Sequence, residues 1–144
     1  MVRLKFGIYM LVLSALATSC TTLPTTQGES DEIFFLQDAE NEGVGGDTAL
    51  LEGMLSLANG CLLITDQFGI DHSPVWPRGY TYETVGNGIE IYNHADEAIA
   101  RVGEKASLGG GEFSPQDYEN IDKLLGSPSE CPRPFWSVNG ASPL

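Results

Sequence analysis

Asn59-Gly60 lies between two runs of alternating apolar residues in "ALLEGMLSLANGCLLITD", and few local patterns restrict a fold as sharply. A type I′ turn needs positive φ at both central residues, which Asn and Gly tolerate, so the pair predicts a two-residue hairpin. That turn also sets the register. Leu57 then faces Leu62 and Leu55 faces Ile64, while Cys61 and Leu63 fall on the opposite side. Strand side chains alternate with period two, so a slip by one residue would turn the whole set over. With apolar residues on both faces, the strand pair belongs inside a small barrel or sandwich.

The sequence beyond Asp66 keeps to the same class. Ile89 and Ile91 alternate with Glu90 and Tyr92, and Ile99, Val102 and Leu108 supply further short apolar segments. Gly86, Gly88, Gly103 and the Gly109–Gly111 triplet punctuate them at the close spacing of short strands and tight turns. Ser114-Pro115 opens a helix, with Ser as N-cap, Pro at the first helical position and Asp117 in the first turn. Tyr118, Ile121, Leu124 and Leu125 share one face of it, and Gly126 with Pro128 ends it. A last strand runs over Phe135 to Val138. The expectation is a mainly β domain, a small OB-like β-barrel or sandwich with one short α-helix. An apparent signal peptide and an acidic linker precede it.

The N-terminus reads "MVRLKFGIYMLVLSALATSC". Arg3 and Lys5 precede twelve uncharged, mostly apolar residues, Phe6 to Ala17. A transmembrane helix needs about 20 such residues, so the run is short for a span and suits an export signal. Leu16 to Cys20, "LATSC", resembles the lipobox of bacterial lipoprotein signal peptides, with the small Ser19 before the cysteine and Ala17 where leucine is usual. The resemblance implies that Cys20 is acylated and becomes the mature N-terminus, anchored in the bacterial cell envelope. Two or three acyl chains hold a protein on a membrane where one gives only marginal binding. Thr21 after the cysteine implies, by the same resemblance, the outer membrane rather than the inner one in a host with two.

The domain boundaries expected are a signal peptide at 1–19, a lipidated acidic linker at 20–48 and a β domain at 49–144. Loss of residues 1–19 removes Arg3 and Lys5, leaving five basic residues against 20 acidic ones. That charge repels nucleic acid and anionic head groups, so attachment to a membrane falls to the lipid and nucleic acid is excluded as a partner. Within the linker, "IFFLQ" (Ile33 to Gln37) stands out as apolar and is a candidate to dock on the domain. With Cys20 acylated, Cys61 and Cys131 form an even pair in an oxidising compartment and are expected to be a disulfide.

Residues 50–140, through "CLLI", "PVWP", "VGEKASLGGGE" and "CPRPFWSV", also resemble a widespread group of small exported bacterial domains of unassigned activity. That resemblance implies a fold and no chemistry. "PVWPRGY" is the most suggestive binding feature: Trp76, Arg78, Tyr80 and Tyr82 are residue types that dominate binding hot spots and stack on sugars or peptides. The competing reading makes Trp76 and Trp136 core residues of the barrel. "LGGGEFSP" lacks the lysine of a phosphate loop and reads as a bulge or turn. Asp66, Asp71 and Asp96 lack calcium-loop spacing and read as turn residues, and no Cys/His spacing suggests zinc. No cofactor, metal or catalytic set is expected. The domain reads as a non-catalytic binding module for an envelope protein or glycan, against an envelope hydrolase using His72 or His94.

Overall fold

The computed structural model describes residues 32–39, 48–125 and 130–144. The signal peptide, Cys20 and residues 20–31 and 40–47 of the linker lie outside them, as do Gly126 and Pro128. The chain is mainly β. Its strands are β1 (Ala49–Ala58), β2 (Cys61–Asp66), β3 (Asp71–Val75), β4 (Thr81–Val85), β5 (Gly88–Tyr92), β6 (Ala98–Arg101), β7 (Lys105–Glu112) and β8 (Phe135–Pro143).

The β1–β2 hairpin has the register that the turn dictates, with Leu57 opposite Leu62 and Leu55 opposite Ile64. Asn59 and Gly60 have φ of 51° and 79°, as a type I′ turn requires. β1 uses its second half for β2 and its first half for β7, so one ten-residue strand serves two ladders. β3 extends from β2, β8 lies parallel to β3, and β7 pairs antiparallel with β8. The order β1-β2-β3-β8-β7 therefore returns to β1 as a closed barrel. Between β3 and β7 the chain forms a second sheet, the antiparallel meander β4-β5-β6.

One apolar cluster joins the two sheets. Leu55, Leu62, Ile64, Leu108 and Val138 come from the barrel, and Ile89, Ile91, Ile99 and Ala100 from the meander, with Trp76 and Trp136 among them. Cys61 and Leu63, on the other face of β2, join a second cluster with Phe113, Tyr118, Ile121, Leu125 and Phe135. Both faces of β2 are thus buried for different reasons: one fills the barrel, the other seats the helical segment.

That segment departs from the single helix expected over 115–125. Ser114 caps α1 (Pro115–Tyr118) through a reciprocal capping box with Asp117, but α2 (Ile121–Leu124) is separate. Asn120 interrupts them with φ −121° and ψ 18°, outside helical values. Tyr118, Ile121 and Leu125 still reach the second cluster, because the apolar spacing and not helix continuity sets where they pack.

The glycine triplet lies inside β7, where the register with β8 shifts between Gly109 and Gly110. Gly110 has φ 147°, and a Cβ there would run into the carbonyl of Ser137, so the bulge requires glycine. Cys61 and Cys131 are bonded, with Cα atoms 5.6 Å apart. Beside this link, Ser73 donates from its N–H to the Pro134 carbonyl (2.8 Å) and from its hydroxyl to that of Pro132 (2.6 Å).

The linker boundary at 48 needs correction, because part of residues 20–48 belongs to the domain. Phe34 bridges to Cys61 and Gln37 to Trp76, both parallel. The Phe34 N–H donates to Gly60, the Trp76 N–H to Leu36 and the Asp38 N–H to Trp76. Phe35 stacks on Trp76 with centroids 5.9 Å apart and planes 5° from parallel. The apolar "IFFLQ" run is the reason: in an otherwise acidic stretch it alone gains from leaving water.

Candidate functional site

The four residues of the aromatic segment have different fates. Trp76 is fully buried, in ring contact with Phe35 and Tyr80, and is a core residue. Trp136 is likewise buried, edge-on to the His72 ring. Tyr80 is half-buried, and burial pushes its hydroxyl pKa above the ordinary value. Tyr82 is exposed on β4 with its ring 5.2 Å from that of Phe35. Arg78 is exposed at the mouth of a cleft of about 120 Å³.

Three polar residues join Arg78 there. His94 comes from the β5–β6 turn, Ser137 from β8, and Asp38 from the docked N-terminal segment. Val75, Pro77 and Val138 supply the apolar wall. His94 is positioned from two sides. Its ring meets Tyr80 edge-on at 5.0 Å, and Gly79, at φ 87°, leaves it room: a Cβ there would come within 2.8 Å of Nδ1. Gln37 fixes the rim by donating from Nε2 to the Tyr80 carbonyl over 2.7 Å. Asp38 and Ser137 are both buried, whereas Arg78 and His94 are exposed, so the cleft combines a carboxylate and a hydroxyl on its buried side with a guanidinium and an imidazole on its open side.

Such a set offers donors and acceptors to one polar group at a time. Ligand pockets for whole small molecules run to roughly 300–1,000 Å³, so a recess of about 120 Å³ takes a single functional group of a larger ligand. Arg78 is the part of this site that the sequence reading named for binding. Asp38 and Ser137 were missed, because they lie 40 and 59 residues from Arg78 and only the barrel brings them there. The apolar interruption at 33–37 was the one available signal for Asp38.

His72 occupies a different setting. It is buried, its Nε2 lies 3.4 Å from Asp66, and its Nδ1 has no hydrogen-bond partner among the described residues. Asp66 is bound by the turn it precedes, accepting from the N–H groups of Phe68 (2.8 Å) and Ile70 (2.9 Å). The Ile70 bond, then that of Phe68 and the His72 ring, hold its carboxyl below the ordinary carboxylate value. Asp71 accepts from the Thr65 hydroxyl at 2.6 Å, and Asp96 adopts φ 57° in the turn after β5. Asp66 and Asp71 are the strand-end residues that flank the β2–β3 turn and Asp96 lies in a turn, and among the described residues no group of three His, Cys, Asp or Glu side chains is placed to hold a metal ion.

No family model, no curated protein and no solved structure matches this chain.

Proposed function

We propose that this chain is a cell-envelope lipoprotein, anchored through Cys20, whose β domain is a binding module for an envelope protein or glycan. The observation that carries the binding reading is the cleft itself, where Arg78, His94, Ser137 and the buried Asp38 converge on a rigid barrel wall. The anchor rests on "LATSC" and its resemblance to a lipobox. Proximity to a membrane would restrict the ligands to those of the envelope, and the cleft's size selects one polar group of such a ligand.

Two experiments separate the parts of this reading. Cys20→Ala should move the protein from the membrane fraction to the soluble one; retention on membranes refutes the anchor. For binding, a photo-crosslinking residue replaces Pro77 at the cleft rim in intact envelopes. A discrete adduct that disappears with Arg78→Ala supports the module, and no adduct, or one indifferent to Arg78, removes it.

One observation favours a second reading. The cleft holds a histidine with an acid and a hydroxyl, the residue types of a nucleophilic hydrolase. That reading requires turnover of an activated ester by the wild type and its loss in both His94→Ala and Ser137→Ala. His72 does not offer this, since its ring is buried against Asp66 and Trp136.

A further inference from the structure

Away from that cleft, two adjoining hollows of about 240 and 450 Å³ lie against β1 and the β2–β3 turn. They share Glu52, Asp66 and Gln67 and so form one trough, which has no lining residue in common with the Arg78 cleft. Leu50 and Phe68 edge the first part, Met54 and Leu144 the second. These four are among the large apolar side chains most open to solvent: Phe68 is 78% exposed, Leu144 63%, Leu50 62% and Met54 41%. Apolar residues gathered along one depression mark an interaction site more than the same residues scattered would.

Phe68 is held out rather than left loose. The Asp66 carboxylate bonds the N–H groups of both Phe68 and Ile70, the Asp66 N–H donates to the Ile70 carbonyl, and the Gly69 N–H returns to the Asp66 carbonyl. An aromatic presented on a fixed turn loses little entropy when a partner covers it, which is the property of a binding anchor.

Charge selects the occupant. Glu52 and Asp66 sit along the shared stretch with Lys105 at one end, and the whole chain carries −13. A second copy would bring the same excess of acid. The chain's own residues 40–47 contribute Glu40, Glu42 and Asp47 and no basic residue, and anionic lipid is repelled for the same reason. We propose that this trough binds a basic amphipathic segment of a partner protein, whose apolar side chains pack on Phe68, Leu50 and Met54 while its Lys or Arg residues face Glu52 and Asp66.

The test uses the full chain carrying Cys20→Ser and a fluorescent Leu/Lys amphipathic peptide, with a Leu/Glu peptide of the same pattern as control. The basic peptide should bind, more weakly as salt rises, and the acidic one should not. Phe68→Ser should weaken binding by about tenfold or more, as loss of an interface anchor does. Phe68→Leu should retain most of it, and Arg78→Ala should leave it unchanged. Phe68 is exposed, so the circular dichroism and melting temperature of these variants should match the parent. Failure to bind, equal binding of both peptides, or indifference to Phe68→Ser overturns the proposal. So does sedimentation showing a dimer that Phe68→Ser dissociates, which would make a second copy the occupant. Because no lining residue is shared with the Arg78 cleft, its failure would leave the binding module above intact.

Discussion

At the scale of single residues, the carboxylate of Asp66 does more than its place in a turn suggests. It satisfies two backbone N–H groups and stands beside a buried histidine. Its pKa is lowered from 3.8 on folding, so the ionised form is the one the fold favours. The sign of the linkage follows: its stabilising contribution is complete above the unfolded value and is lost as pH falls below it through the folded one. Amide exchange at Phe68 and Ile70, corrected for its intrinsic pH dependence, should therefore stay protected down to the ordinary carboxylate range and open only beneath it. Asp66→Ala should open the same two amides at neutral pH. Protection lost well above the carboxylate range, or unchanged in Asp66→Ala, would refute the assignment to this carboxylate. A turn residue and acids beside His72 were legible here from "DQFGIDHSP"; which acid meets the ring was not, since that depends on the register between β2 and β3.

At the scale of elements, the most legible parts were those written in contiguous residues. Asn59-Gly60 specified its turn and six pairs of register, and Ser114-Pro115 specified the start of α1. The interruption at Asn120 was illegible because the apolar positions after it keep a helical spacing. The cysteine pair was legible by counting, and its link ties the start of β2 to the loop before β8 across 70 residues. Closing a loop of that length lowers the entropy of the unfolded chain, stabilising the fold by about 4 kcal/mol at most in the chain-entropy model. Replacing both cysteines with alanine should lower the urea midpoint accordingly, with the secondary structure kept at low denaturant. A midpoint unchanged by the double replacement would mean that packing around Phe113, Ile121 and Phe135 alone holds this end.

For the whole molecule, the barrel and the meander share one apolar cluster, which a reading of strands one at a time does not reveal. Ile89 and Ile91 looked like the buried face of an ordinary strand. In the structure they fill the side of a barrel to which β5 does not belong. A shared core predicts a single cooperative transition. Tryptophan fluorescence, which reports Trp76 and Trp136, and far-ultraviolet circular dichroism should trace coincident urea curves. An early step in the dichroism without change in fluorescence would show the meander melting by itself. Long-range assembly also explains why the cleft was only partly foreseen: Arg78 and His94 announce themselves as residue types, whereas Asp38 and Ser137 acquire their role only from where the strands cross.

The docking of residues 33–38 beside Trp76 sets a mechanical relation between anchor and cleft. From Cys20 to Glu32 is twelve residues, which at roughly 3.6 Å each can reach at most about 43 Å. Under the proposed anchoring, the start of the docked segment stays within that leash of the bilayer, and a ligand at Asp38 lies beyond it only by the span of residues 32–38. Any pull on the leash also arrives first at the segment that supplies Asp38 and stacks Phe35 on Trp76. Tension between membrane and cargo would then be felt in the cleft before it is felt in the barrel.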